Sequence, residues 1–212
     1  MEQNHAIAAL SQAFADYIVT CYEPKAIQDF IQGRYGYLLS QERQAVGDLL
    51  QIQLKENSFR EEIIQKVKGY LEAEDTAMLE GVVRFRLKEY EEHLIRLVDQ
   101  AVHSYELQKE YDALLLLMRN YVHEQISLYD TLHFIVRKNN TVDLMDVEGR
   151  SVVYGCQGDV LLDTLLTIAP KTIIMHHAEL FTQKELLVTI QSVFGGKISV
   201  CNGCALCGKI QM

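Results

Sequence analysis

Leu132-His133-Phe134-Ile135-Val136 leads through Lys138-Asn139-Asn140 into Thr141-Val142-Asp143-Leu144-Met145. Two short runs rich in apolar and β-branched residues, joined by a polar turn, read as paired strands. Glu148-Gly149 makes a second turn, and Ser151-Val152-Val153-Tyr154 a third strand. The period then lengthens. Asp159 to Ala169 carries Val160, Leu161, Leu165 and Leu166 at helical steps and stops before Pro170. Thr172-Ile173-Ile174-Met175 is a strand, and Thr182 to Phe194 a helix with Leu186, Leu187, Ile190 and Val193 on one face. Gly195-Gly196 ends it before a last strand, Lys197-Ile198-Ser199-Val200. The order is β-β-β-α-β-α-β. An antiparallel meander running into two helical crossovers predicts a small mixed sheet whose last three strands are parallel.

Upstream of residue 130 the period is helical throughout. Ala6, Leu10, Ala13, Phe14 and Tyr17 form one apolar face. Pro24 suits the first turn of a second helix, where its missing N–H is not needed. Ser40 opens a third helix through Val46, Leu49, Leu50 and Leu54. Ser58-Phe59-Arg60-Glu61 has the capping-box spacing for a fourth. Apolar residues then recur from Leu79 through Leu87, Leu94 and Val98 to Ala101, predicting a helix from about Thr76 to Val102. Another is expected from about Leu107 to Gln125. The fold class is therefore α+β: an all-helical domain over residues 1–129, followed by a small α/β domain over 130–212.

The 212 residues include 20 Lys+Arg and 29 Asp+Glu, for a net charge of −9. The acidic excess belongs to the helices before residue 130. Phosphate recognition needs clustered positive charge, so a nucleic-acid partner is not expected. The longest strictly apolar run, Ala113–Met118, is far short of a bilayer span, so no membrane insertion is expected. The start, Met1-Glu2-Gln3-Asn4-His5, lacks the basic and apolar regions of a signal peptide. Five cysteines, three of them crowded together near the end, fit a reducing cytoplasm better than a secreted disulfide framework. Cys21 reads as a small buried or half-buried residue, His93 and His103 as surface residues of acidic helices, and His133 as a structural residue at the start of a strand.

Gly81-Val82-Val83-Arg84-Phe85-Arg86-Leu87-Lys88-Glu89-Tyr90 is distinctive, as are Lys109-Glu110-Tyr111, Leu114-Leu115, Tyr121-Val122 with Gln125, and His133 at the first strand. Together they resemble the YtxC-like family of sporulation proteins of endospore-forming Firmicutes, over most of the chain from about Asp29. The resemblance implies a setting in sporulation and no reaction. It also implies an additional N-terminal segment in family members, against which this chain is expected to be short. Read by itself, the stretch is a helix laced with salt bridges through Arg84 and Arg86, with Phe85 facing a different way from Leu87.

Cys201-Asn202-Gly203-Cys204-Ala205-Leu206-Cys207 carries the chemistry. Three thiols at C-x2-C-x2-C can converge on one soft cation, with sulfurs about 2.3 Å from its centre. A closed site needs a fourth donor. With the last three strands parallel, Cys201, the pair His176 and His177, and Cys156 all lie at carboxyl ends along one sheet edge. The candidate ligands are Cys201, Cys204, Cys207, Cys156, His176 and His177. Zinc takes either four thiolates or three with one imidazole, and an iron–sulfur cluster prefers the all-thiolate set. No catalytic residue and no organic-cofactor site is assigned.

Cys156 has a second reading, since Gly155-Cys156-Gln157-Gly158 precedes a helix N-terminus that would activate a thiol. His176 or His177 would then be its base. The leading expectation is a non-enzymatic, cytoplasmic, sporulation-associated protein with a helical surface for an unidentified protein partner and a structural zinc or iron–sulfur site in its tail. The alternative is a thiol-dependent enzyme or redox sensor using Cys156 or the tail cysteines.

Overall fold

The computed structural model describes residues 2–56, 59–73 and 87–209. Their fold is α+β, helices first and then a five-stranded mixed sheet with its own helices. The chain packs as two compact units, Met1–Gln108 and Lys109–Met212. The capping residue Ser58, the start of the helix expected from Thr76, and Gly81 through Arg86, with Arg84 and Phe85, lie outside the described residues.

In the first unit, α1 (Glu2–Tyr17) runs through a π-turn (Ile18–Tyr22) directly into α2 (Glu23–Arg34). Pro24 therefore does not start a separate helix. It has no N–H for the carbonyl of Thr20, and its ring crowds that carbonyl. The wider turn, in which the Glu23 N–H reaches back to the Ile18 carbonyl, accommodates both. The buried residue of this turn is Ile18, while Cys21 is exposed, against expectation. After Gly36 come α3 (Ser40–Glu56) and α4 (Arg60–Ala73). Ala15, Ile18, Ile63, Val67, Tyr90 and Leu94 close one core, and Ile31, Val46, Leu50, Val98 and Val102 a second. His93 is not a free surface residue, because its ring packs 4.3 Å from that of Phe59.

The two helices expected around Val102 and Leu107 are one, α5 (Lys88–Glu124), of 37 residues. The polar interval His103-Ser104 marks a change of apolar face and not an end. No glycine or proline stands anywhere in α5 to stop it.

The second unit holds β1 (Thr131–Val136), β2 (Val142–Met145), β3 (Ser151–Cys156), α6 (Gly158–Ile168), β4 (Thr172–His176), α7 (Lys184–Phe194), β5 (Ile198–Val200) and α8 (Ala205–Lys209). The sheet order is β3-β2-β1-β4-β5. β2 is antiparallel to β1 and β3, while β4 is parallel to β1 and β5. The three last strands thus share a direction, but β1 and β2 stand between β3 and β4.

Alternation along the strands separates two faces. Leu132, Phe134, Val136, Val142, Leu144, Ile173 and Met175 share one core with Leu161 and Leu165 of α6, Ile190 and Val193 of α7, and Val122 of α5. His133, Ile135, Asp143, Met145, Ile174 and His176 alternate onto the opposite face. The cysteine segment folds back over that face, with the Leu206 side chain lying against Gly149 in the β2–β3 turn.

Candidate metal centre

β4 ends at His176 and β5 at Val200, and the ladder continues one step further through the Cys201 N–H to the Met175 carbonyl at 2.8 Å. Cys201 is thereby fixed beside His176. Gly203 takes a φ of +114°, a conformation open to a residue without a Cβ, and its N–H points back at Cys201 Sγ from 3.4 Å. The chain then turns into α8, which presents Cys207 between the other donors.

The distances define a compact group. Cys207 Sγ lies 3.8 Å from Cys201 Sγ, 3.8 Å from Cys204 Sγ and 3.2 Å from His176 Nδ1. Cys204 Sγ is 3.7 Å from His176 Nδ1. All four donor atoms fall within 4.8 Å of one another. Sulfurs about 2.3 Å from a tetrahedral centre stand about 3.8 Å apart, so the two spacings from Cys207 match such a centre. The three sulfurs and one imidazole nitrogen could hold a metal ion.

The electrostatics suit that role. Burial holds the His176 imidazole below its ordinary range, assisted by His133 and His177, so it stays neutral with a lone pair to offer. The Cys204 thiol is lowered chiefly by the backbone N–H of Cys207, and also by that of Leu206. For Cys201 the Gly203 N–H acts downward, but burial and the two neighbouring thiols outweigh it, and the net direction is up. Of these two thiols Cys204 is the readier to ionise. It is also exposed, while His176 is fully buried.

Cys156 and His177 are not brought into this group. Cys156 pairs with Val142 across the sheet and shares its face, so it joins the helix-covered core. Burial raises its thiol, opposite to what a nucleophile needs, although a hydrogen bond with Thr164 acts the other way. His177 adopts a left-handed φ of 55° just past β4, and its Nδ1 lies 3.6 Å from Glu179. Sequence reasoning placed these residues at the correct strand ends. The face each one takes depends on parity within the sheet.

His133, quoted above for the family resemblance and not as a site residue, lies beside the donors. Its Nδ1 lies 2.8 Å from His176 Nε2, on the side of that ring away from the thiols. The signal was parity: His133 pairs with Ile174, so it shares a face with His176, two residues further along β4.

A sequence model of the YtxC-like family matches residues 8–157, well over half of the chain. The chain belongs to the YtxC-like family. Within the YtxC-like match fall most of α1, all of α2 to α5, the β1–β3 meander, His133 and Cys156, while α6, α7 and α8 lie beyond it. The four clustered donors lie beyond its last residue. Comparisons with curated proteins and with solved structures gave no match. Among the described residues no helix is long and apolar enough to cross a membrane.

Proposed function

We propose that this YtxC-like protein acts in the cytoplasm during sporulation, without catalysing a reaction, and that a structural zinc ion closes its second unit. Cys201, Cys204, Cys207 and His176 would hold the ion. The observation that carries this is the convergence of three sulfurs on the buried His176 imidazole, all four donor atoms lying within 4.8 Å of one another. Three thiolates with one imidazole is a common structural zinc set, whereas an iron–sulfur cluster favours four thiolates. With all four positions taken by side chains, the ion would have no open site for a substrate, and its contribution is to tie β4, β5 and the tail together. The family membership supports the sporulation setting, and the helical unit would supply a partner surface.

Metal analysis of protein purified without a histidine tag tests this. The expected result is about one zinc per chain, lost in Cys204→Ser and Cys207→Ser. Zinc-free protein that cannot be loaded by added zinc would overturn it. A second reading, a redox pair of Cys204 and Cys207, is favoured by the lowered Cys204 thiol. It predicts a reversible disulfide and no metal in freshly purified protein.

A further inference from the structure

We propose that His133 is the positioning residue of this centre: it accepts a hydrogen bond from His176 Nε2 and so commits Nδ1 of that ring to the metal. The inference rests on the zinc reading and concerns a residue outside the donor set.

Two ring nitrogens 2.8 Å apart share one proton, so one ring donates and the other accepts. His176 Nδ1 faces Cys207 Sγ at 3.2 Å and Cys204 Sγ at 3.7 Å. A nitrogen that binds a cation must offer its lone pair, so the ring proton of His176 then belongs on Nε2. The atom waiting there is His133 Nδ1, and the proton of His133 goes to its own Nε2. Nearby carboxylates do not compete for the bond. Asp146 is engaged with the Glu148 and Arg150 N–H groups at 2.9 Å and with Arg150 Nε at 2.8 Å. Ligating histidines are commonly oriented through their second nitrogen by a carboxylate or a carbonyl. Here an imidazole on the central strand β1 takes that place, and rigid strand backbone fixes both rings.

Zinc affinity by competition with a chromophoric chelator, measured on the full chain, tests the assignment. His133→Ala is expected to weaken zinc binding about 10–100-fold. His133→Asn sets an amide oxygen near the lost Nδ1 and is expected to restore most of the affinity. Nitrogen-15 spectra of the zinc-loaded wild type are expected to show both rings protonated at Nε2, a readout that mere packing would not impose. Wild-type affinity in His133→Ala, or a His133 ring protonated at Nδ1 in the loaded protein, overturns the role of His133 and leaves the zinc reading standing. A wild type that binds no zinc overturns both.

Discussion

Glu23 sits just after the π-turn with its carboxylate taking the hydroxyl hydrogen of Tyr90, while the Tyr22 hydroxyl donates to Glu91. Burial raises the Glu23 carboxyl, and the Tyr90 hydrogen bond only partly offsets it. A carboxyl raised by folding adds stability below its unfolded value of about 4.5, and that stability is lost as pH rises through the folded value. Ionised Glu23 is thus a cost at neutral pH. Glu23→Gln keeps an acceptor for Tyr90 without the charge. Urea unfolding at pH 4, 5.5 and 7 should show the variant gaining on the wild type as pH increases. A relative loss at pH 7 would mean that the charge itself strengthens the Tyr90 contact enough to outweigh its burial.

At the scale of the element, the β2–β3 pairing depends on a carboxylate. Asp143 Oδ1 accepts the Gly155 N–H at 2.9 Å, and Oδ2 accepts Arg137 Nε at 2.7 Å. The register between the two strands shifts between Val142 and Leu144, so ladder bonds alone do not hold β3 at this point. Asp143→Ala would leave the half-covered Arg137 and the Gly155 N–H without this partner, and is expected to cost about 2–4 kcal/mol. Amide exchange should rise first in β3. Unchanged protection there would show that the edge strand is held by its apolar contacts alone. Strand positions were legible in the sequence because period-two runs bounded by Asn and Gly leave little choice. The continuity of α5 was less so: a polar interval looks like a joint unless the absence of a breaker is weighed as heavily as the pattern. The π-turn left no signal beyond Pro24, whose effect depends on whether the preceding helix has reason to continue. At the site, the tail cysteines and His176 were legible from spacing and strand order. Separating them from Cys156 required knowing that β1 and β2 intervene and that Cys156 has the parity of the helix-covered face.

For the molecule as a whole, the two compact units are expected to unfold as separate events, and the proposed ion belongs to the second. Binding to the native state alone adds about 4 kcal/mol when free ligand is a thousandfold above the dissociation constant. Calorimetry of zinc-loaded protein, repeated after chelation, should therefore move the transition of the second unit and leave the first in place. A shift of both together would show that the units unfold as one. The acidic helices of the first unit form their ion pairs at the surface, Arg60 with Asp16 at 2.8 Å and Lys66 with Glu89 at 2.7 Å among them. Such pairs contribute little individually and weaken with salt, so added salt is expected to leave the first transition nearly unmoved.

The donors flank a stretch of chain: His176 stands on one side of α7 and β5, and the three cysteines on the other. With an ion in place that stretch becomes a closed ring through coordinate bonds, as if buckled at its base. A proteolytic nick between Glu179 and Gln183 would then leave two fragments joined through the ion as well as by packing, and a chelator should lower the urea concentration at which they part.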